Sequence, residues 1–385
     1  MEEENKTTLT FDKLEIKDNI LRGIYSYGFE NPSKIQSTAI PKIITGNDLI
    51  AQAHSGTGKT GAFTIGCLQR IDHTKLETQA LIMCPTHELV HQTTEVIREF
   101  SKYQKEITYM EVIGGTNVEE CRKQLSTTPH ILIGSPGRVL DMIQKQYLFT
   151  DKIKILIFDE ADEILSYGFK DTIHSIINYI PKTTQICLFS ATMPDDVLDL
   201  TERFMNNPEK ILIKKEALTL EGISQFYINI RVNDWKYEVL TDLYETINIA
   251  QCIIYINSKN KLIEIYNALI KDNFPVSCIH GELSPDSRKE IMEQFRGGHT
   301  RILLSTDLLS RGVDVQQLSL VINFDLPKSK ETYIHRIGRS GRYGRKGVAI
   351  NLVTDRDMQH LRDIEGFYET QINEMPNNIE DYIGV

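Results

Sequence analysis

The chain has 385 residues, of which 41% are hydrophobic and 25% charged, a composition that excludes a disordered or collagen-like protein. Its length exceeds what one hydrophobic core of usual size accommodates, so we expect two domains. With 43 Lys and Arg against 53 Asp and Glu, the net charge is -10. This excludes nucleic-acid binding through a general positive charge and leaves only local sites for it.

Composition also predicts the cellular environment. No window contains the roughly 18 consecutive apolar residues that a spanning helix needs, and the acidic start, residues 1–6, lacks the apolar stretch of a secretory signal. The six cysteines are far apart, without a Cys-x-x-Cys pair, and several lie in apolar runs. We therefore expect an intracellular protein with buried free thiols and without disulfides or zinc.

Short apolar runs rich in β-branched residues alternate with amphipathic stretches, a pattern typical of parallel α/β sheets. In the first half, strands are predicted at residues 48–51, 79–84, 108–113, 130–134, 154–158 and 185–190. In the second half, they are predicted at 225–230, 252–256, 276–280, 301–305, 320–323 and 348–353. Helices are predicted between them, for example at 87–100, 170–180, 236–247, 259–270 and 286–295. The predicted fold is α/β, with two tandem, mostly parallel sheets flanked by helices: residues 1–213, a polar linker at 214–222, and residues 223–385.

A glycine-rich segment follows the first predicted strand and precedes a helix that begins near Gly61. It has the P-loop pattern, with alanine in place of the first glycine. Glycines let backbone amides turn towards phosphate oxygens, and the helix N-terminus adds partial positive charge. Lys59 is predicted to reach the β- and γ-phosphates, and the Thr60 hydroxyl to ligate Mg²⁺. The nucleotide-binding residues predicted in this loop are Ala53, His54, Ser55, Gly56, Thr57, Gly58, Lys59 and Thr60.

Two acids follow the apolar run at 153–158. Acids at the carboxyl end of a parallel strand face the crevice in which α/β sheets bind ligands. Asp159 is predicted to hold Mg²⁺ through water, and Glu160 to polarise the attacking water, because phosphoryl transfer needs a metal and an oriented nucleophile. Alone, such acids could also cap the following helix, but the P-loop upstream favours the nucleotide interpretation.

Around these two motifs, an ordered series of short segments resembles the motif series of the DEAD-box RNA helicases over nearly the whole chain. The segments are residues 28–36, 53–60, 85–89, 114–115, 135–138, 159–162, 190–192, 305–307, 311–314 and 335–342. The resemblance implies two RecA-like domains that close on ATP and single-stranded RNA together. Residues 21–25, 218–223 and 344–351 are similar to the branch of the family that acts in translation initiation and to its close nuclear paralogue. Residues 191–194, 225–229 and 314–317 favour that branch, and 339–343 favour the paralogue.

The resemblance implies roles around the nucleotide. Gln36 would read the adenine edge, which suits an amide that both donates and accepts. Phe11 would pack nearby, although it could instead be a hydrophobic staple on the following helix. Arg339 and Arg342 would be arginine fingers that stabilise charge on the transferring phosphoryl group. Asp314 would accept a hydrogen bond from the ribose hydroxyl.

Further residues are implied to cover the base, to couple the sites and to bind RNA. Tyr343 would cover the base, or else be an exposed loop aromatic. Ser190 and Thr192 would couple the nucleotide state to RNA by hydrogen bonding near Asp162; otherwise they cap a strand end. The implied RNA contacts are mostly small residues or backbone groups, which grip phosphates and 2′-hydroxyls without reading sequence. They are Pro85, Thr86, Gly115, Ser135, Gly137 and Arg138 in the first domain, and Gly281, Arg288 and Thr306 in the second.

Two positions depart from the family pattern. The family usually has Arg where this chain has His87, and a neutral imidazole cannot make the bidentate contact of a guanidinium. We expect weaker RNA binding that strengthens as the pH falls through the histidine range, unless His87 merely begins a helix and faces solvent. Pro285 replaces a common Gln, but Ser284 and Pro285 are good helix-start residues, so Arg288 should be placed as usual.

These observations together predict an RNA-dependent ATPase that uses ATP and Mg²⁺ to clamp single-stranded RNA and open short duplexes in translation initiation. A second interpretation is an ATP-gated RNA clamp that scaffolds a nuclear mRNA-processing complex. A third is a DNA translocase or another P-loop motor, which Gln36 and the RNA-contact motifs disfavour. The resemblance further implies two partners, a HEAT-repeat scaffold of the cap-binding complex and an accessory RNA-binding factor. It also implies a monomer when alone and a cytoplasmic location, or a nuclear one under the second interpretation.

Overall fold

The chain divides into two compact units, Met1–Leu212 (unit 1) and Ile213–Val385 (unit 2). The computed structural model describes residues 9–54, 56–165, 169–212, 223–246, 251–307, 318–340, 347–376, 378–379 and 382. The linker predicted at 214–222 lies outside the described residues. Within the described ranges, no helix is long and apolar enough to cross a bilayer.

Unit 1 alternates strands and helices along the chain after an initial 3-10 turn at Phe11–Leu14. Its helices are α1 (Asp18–Ser26), α2 (Lys34–Thr45), α3 (Lys59–Arg70), α4 (His87–Phe100), α5 (Val118–Leu125), α6 (Pro136–Gln144), α7 (Ala161–Ile164), α8 (Lys170–Tyr179) and α9 (Asp195–Thr201). Its strands are β1 (Leu49–Gln52), β2 (Ala80–Met83), β3 (Tyr109–Val112), β4 (Ile131–Gly134), β5 (Ile155–Asp159), β6 (Gln185–Ser190) and β7 (Glu209–Ile211).

The strands of unit 1 form one parallel sheet in the order β3-β4-β2-β5-β6-β1-β7. Every residue of β1, β2, β4, β5 and β6 is buried, as expected for a parallel sheet covered on both faces. This order places the loops after β5, β6 and β1 next to one another. The loops after β3, β4 and β2 are neighbours along the other half of the same sheet edge.

Unit 2 repeats the connectivity of unit 1. Its helices are α10 (Lys236–Thr246), which follows a 3-10 turn at Asn233–Trp235, α11 (Lys259–Lys271), α12 (Pro285–Arg296), α13 (Lys330–Ile337) and α14 (Met358–Phe367). Its strands are β8 (Ile223–Asn229), β9 (Cys252–Tyr255), β10 (Val276–Ile279), β11 (Ile302–Ser305), β12 (Leu320–Asn323), β13 (Gly347–Val353) and β14 (Asn373–Glu374). The parallel sheet has the order β10-β11-β9-β12-β13-β8-β14, so its first six strands follow the same path as β1 to β6.

The predicted fold class is confirmed, and each of the twelve predicted strands is present with ends within two residues of the prediction. The two additional strands, β7 and β14, lie at the sheet edges and contain three and two residues. Their residues are half-buried or exposed, so they lack the apolar run that identifies the other strands. All six cysteines are free thiols, five of them buried, as predicted.

Candidate nucleotide site and RNA-facing loops

The predicted P-loop joins β1 to α3, and its backbone depends on glycine. Gly56 and Gly58 have φ of +79° and +95°, in the left-handed region that glycine adopts without strain. Lys59, the first residue of α3, is buried, and its Nζ donates to the carbonyl oxygens of Ala53 and His54 at 2.9 and 3.3 Å. The ammonium group is therefore held at the loop itself, beside the helix N-terminus that favours anions.

Gln36 connects the P-loop to α2. It is the third residue of that helix and forms a capping box with Ser33, whose backbone N–H donates to Gln36 Oε1 at 2.9 Å. Gln36 Nε2 donates to the carbonyl oxygen of Gly58 at 3.2 Å. A Cβ at Gly58 or Gly61 would lie 2.5 or 2.9 Å from this nitrogen, so the contact needs glycine at both positions. Contact between Gln36 and the adenine edge stays a prediction.

Phe11 lies in an aromatic cluster next to Gln36. Its ring is fully buried, stacks on Phe29 with centroids 6.3 Å apart, and meets Tyr25 edge-on. Phe29 in turn contacts Phe100 and lies 3.0 Å from a Cβ built on Gly61. Phe11 therefore packs against the end of α1 and the segment after it, and contact between Phe11 and a base stays a prediction.

Asp159 ends β5, and Glu160 begins the turn into α7. Both side chains are buried. Burial raises the pKa of Asp159 to about 7, with a contribution from the negative charge of Glu160 and an opposing one from the Lys59 ammonium. Glu160 has φ of +49°, a left-handed conformation that is strained for a residue with a side chain, and its N–H donates to Asp159 Oδ1 at 3.0 Å. Strain of this kind concentrates at functional sites.

Asp162, Ser190 and Thr192 form a buried hydrogen-bonded group, named here the coupling triad. The Ser190 hydroxyl donates to Asp162 Oδ1, and the Thr192 hydroxyl donates to Asp162 Oδ2. The Thr192 N–H also donates to Ser190 Oγ at 3.3 Å. These contacts join the end of β6 to α7, directly after Glu160, as the motif series implies. Their role in coupling stays a prediction.

The residues predicted to hold Mg²⁺ suit that ion chemically. Thr60 lies in the first turn of α3 and is half-buried, while the neighbouring Thr57 hydroxyl donates to His54 O at 2.7 Å. A hydroxyl and a carboxylate are oxygen ligands of the kind that Mg²⁺ prefers. A buried carboxyl such as Asp159, with a raised pKa, is one that a bound divalent cation returns to its charged form.

The predicted RNA contacts of unit 1 lie on three loops after neighbouring strands, β2, β3 and β4. Thr86 is the N-cap of α4, and its hydroxyl accepts from Leu89 N at 3.3 Å. Gly115 is exposed and has φ of +77°. The remaining residues open α4 or α6 and are Pro85, Ser135, Gly137 and Arg138.

Side-chain contacts connect these loops. Arg138 Nη2 donates to Thr116 O at 2.9 Å, which ties α6 to the loop after β3. His87 is the first residue of α4, and its Nε2 lies 3.6 Å from a Cβ built on Gly114. The half-buried imidazole therefore begins the helix and lies beside the loop after β3, and its contact with RNA stays a prediction. One turn later, His91 Nδ1 lies 2.7 Å from Glu111 Oε2 on β3.

In unit 2, the predicted RNA contacts again lie after neighbouring strands. Gly281 is exposed in the loop after β10, and Thr306 follows β11 and is half-buried. Ser284 caps α12 by accepting from Ser287 N at 3.1 Å, and Pro285 opens the helix. The helix start is therefore formed as predicted, with Arg288 buried in its first turn.

Arg339 follows α13; its guanidinium is buried, and Nε donates to His335 O at 3.1 Å. Sequence reasoning assigned no role to Arg336, which the structure places fully buried with Nε 2.7 Å from Asp307 Oδ1. The sequence indicated a role for Arg336 only through its position in the motif at residues 335–342. The predicted residues Ser55, Asp314, Arg342 and Tyr343 lie outside the described residues.

Comparisons with known proteins agree with this arrangement. Residues 33–200 match the DEAD/DEAH box helicase family and residues 235–344 match the helicase conserved C-terminal domain. The chain is 55% identical to the Candida albicans protein named ATP-dependent RNA helicase eIF4A over 96% of this chain and 93% of that one. It is 50% identical to Caenorhabditis elegans eukaryotic initiation factor 4A over 97% and 93%.

Among solved structures, S. cerevisiae Dbp5 bound to RNA and ADP BeF3 is similar with a TM-score of 0.91 and 34% identity, over 97% of both chains. The structural likeness, the family matches and the near full-length identity all agree with the motif series. The chain therefore belongs to the DEAD-box RNA helicases, as a member that resembles initiation factor 4A.

Proposed function

We propose that this chain is an ATP-dependent RNA helicase of translation initiation that couples ATP hydrolysis to clamping of single-stranded RNA and local opening of duplexes. The observation that carries the proposal is the arrangement along the sheet of unit 1. The P-loop, Asp159 and the coupling triad follow β1, β5 and β6, while the predicted RNA loops follow the neighbouring strands β2, β4 and β3. One sheet edge therefore carries the residues of both predicted sites, and the initiation factor 4A relatives support the biological role.

In the proposed mechanism, the P-loop amides bind the phosphates of ATP. The Lys59 ammonium already lies at the loop, where it donates to Ala53 O and His54 O. When ATP binds, it donates to the β- and γ-phosphates instead. Gln36 binds adenine while its helix stays attached to Gly58. The residues proposed to bind the base and the phosphates are thus both connected to the P-loop.

Hydrolysis requires charge stabilisation and an oriented water. Thr60 and Asp159 would hold Mg²⁺, which when bound neutralises charge on the phosphate oxygens. Glu160 is proposed to orient the attacking water. Arg339 and Arg342 are proposed to stabilise charge on the transferring phosphoryl group, with Asp314 at the ribose and Tyr343 at the base.

The remaining assignments are also part of the proposal. Relatives named as initiation factors support action in the cytoplasm, where translation initiation takes place. We propose a HEAT-repeat scaffold of the cap-binding complex and an accessory RNA-binding factor as partners. RNA binding without a general positive charge fits a net charge of -10, because a composite site formed only with ATP needs no permanently basic surface.

Steady-state ATP hydrolysis with and without single-stranded RNA tests the proposal. Glu160→Gln is the variant, and Glu163→Gln, three residues later in α7, is the control. RNA should stimulate the wild type and the control severalfold, and Glu160→Gln should abolish turnover. A wild type that RNA does not stimulate would overturn the proposal. Joint binding of ATP and RNA with little turnover would support the clamp interpretation instead. Equal stimulation by single-stranded DNA would support a DNA translocase.

A further inference from the structure

Buried polar side chains cross the sheet of unit 2 in a connected chain of hydrogen bonds. Arg336 Nη1 donates to Asn323 Oδ1 at 3.2 Å, and Asn323 Nδ2 donates to Asn351 Oδ1 at 2.9 Å. Asn351 Nδ2 donates to the hydroxyl oxygen of Tyr333 at 3.3 Å. All four residues are fully buried. The bonds therefore form in a region where an unsatisfied polar group is costly.

The chain continues from Tyr333 to the outer part of the sheet. The Tyr333 hydroxyl donates to Gln225 Oε1, and Gln225 Nε2 donates to Thr370 Oγ1, each at 2.9 Å. Burial raises the pKa of Tyr333, so its hydroxyl keeps the proton that it donates. Every donor points away from the Arg336 cation, an arrangement in which successive bonds polarise one another. We name this set the polar relay; it consists of Arg336, Asn323, Asn351, Tyr333, Gln225 and Thr370.

The buried positions of Asn323 and Asn351 in the sheet could be filled by apolar side chains. β12 reads Leu-Val-Ile-Asn, and in β13 the residues on both sides of Asn351 are apolar. Asn323 and Asn351 are direct partners in the parallel register of the two strands. Apolar side chains at the same positions would be buried at lower cost. Asn351 Nδ2 also donates to Phe226 O on β8 at 2.9 Å. Both amides are therefore hydrogen-bonded, and each of them contacts a side chain of α13.

The relay holds α13 at two points. Tyr333 and Arg336 are three residues apart and so lie on the same face of this helix. Asn351 contacts Tyr333, and Asn323 contacts Arg336. Arg339 lies two residues beyond the end of α13 and donates to His335 O, so its position follows from that of the helix.

Arg336 also connects the relay to the loop after β11. Its Nε donates to Asp307 Oδ1 at 2.7 Å, and Asp307 directly follows Thr306. The guanidinium is further held by Asp325 O at 2.7 Å and Asn257 Oδ1 at 2.6 Å. One buried, multiply hydrogen-bonded guanidinium therefore links α13 to the loop of a predicted RNA contact.

We propose that Asn323, Asn351 and Tyr333 are positioning residues for the helicase reaction: they orient α13 so that Arg339 and Thr306 occupy mutually fixed places. The inference rests on the proposed function for the roles of Arg339 and Thr306. The relay itself is independent of those roles, because its bonds lie within unit 2.

Tyr333→Phe and Asn351→Asp test the proposal in the full chain. The first removes one hydroxyl at nearly constant volume. The second replaces the amide nitrogen, which donates to Tyr333 and to Phe226 O, by a carboxylate oxygen that cannot donate. Ser277→Ala is the matched control, because it removes a buried hydroxyl bond to Thr300 at the far edge of the same sheet. Two quantities are measured: RNA-stimulated kcat and KM for ATP, and backbone amide exchange at residues 305–307 and 334–340.

Both relay variants should lower kcat about tenfold, because a displaced Arg339 would lose about one hydrogen bond's worth of contact with the transition state. KM for ATP should change less than about twofold. Amide exchange at 305–307 and 334–340 should become faster, and the control should alter neither quantity. Unchanged kcat and unchanged exchange in Tyr333→Phe would overturn the inference, as would an equal loss in the control. Failure of the proposed function is distinguishable, since it would appear as absent RNA stimulation in the wild type, while exchange still reports the relay.

Discussion

The Thr192 hydroxyl donates to one carboxylate oxygen of Asp162, and Ser190 occupies the other oxygen of the same group. Both oxygens of this buried acid are therefore bound from the end of β6. Asp162 lies two residues after Glu160, and β6 is the sheet neighbour of β1, which leads into the P-loop. The two hydroxyls thus connect the acidic turn to a strand beside the nucleotide loop.

Removing both hydroxyls should separate ATP hydrolysis from unwinding. Ser190→Ala combined with Thr192→Ala leaves the Asp162 carboxylate short of two donors, at a cost of about 1–3 kcal/mol for each unmet group. We expect RNA-independent ATPase activity to be retained and unwinding of a short duplex to fall at least about tenfold. Thr184→Ala is the control, since it removes a buried hydroxyl at the opposite end of β6. Parallel loss of both activities would contradict the coupling role.

Gln36→Glu should weaken ATP binding more than turnover. The carboxylate can still accept from Ser33 N, but it cannot donate to Gly58 O, and its charge lies beside the loop that receives phosphates. We expect KM for ATP to rise about tenfold, as for loss of one hydrogen bond, with kcat changed much less. Gln69→Ala, at the other end of α3, should leave KM unchanged. A fall in kcat without a change in KM would argue against the binding role.

Residue patterns predict the features that depend on local sequence, and they do not predict contacts that depend on how strands are paired in the sheet. The buried strands and the P-loop are readable because apolar runs and glycines act locally. Asn323 and Asn351 are 28 residues apart, and nothing in the sequence shows that they pair until the β12–β13 register is known. The left-handed backbone of Glu160 cannot be predicted either, because nothing in the sequence marks a residue other than glycine that adopts a positive φ.

His87→Arg should strengthen RNA binding and remove its pH dependence. A protonated imidazole attracts phosphate and a neutral one does not, so wild-type affinity should rise as the pH falls through the histidine range. The other charged and titratable groups of this region are Glu88 and His91 on α4 itself, Glu111 on β3, which pairs with His91, and Arg138 on α6, which binds the loop after β3. Protonated His91 also offsets the Glu111 charge, which acts in the same direction.

The measurement is RNA affinity from pH 6 to 8 with a non-hydrolysable ATP analogue. At pH 8, His87→Arg should bind about tenfold more tightly, the value of one charge-assisted hydrogen bond. His174→Arg is the control, because it adds the same charge on the exposed face of α8. A pH-independent wild type, or an equal gain in the control, would show that His87 does not contact RNA.

Two helical glycines provide a matched test of packing in the two units. A Cβ at Gly23 in α1 would lie 2.2 Å from the backbone oxygen of Phe100, whereas a Cβ at Gly366 in α14 has no heavy atom within 4 Å. Gly23→Ala should therefore destabilise unit 1 by about 2–3 kcal/mol, because backbone has to move. Gly366→Ala should stabilise unit 2 by about 0.5–1 kcal/mol through helix propensity alone. Urea unfolding followed by hydrogen-exchange mass spectrometry reports each unit separately, and a stabilising Gly23→Ala would mean that α1 is not in close contact with the end of α4.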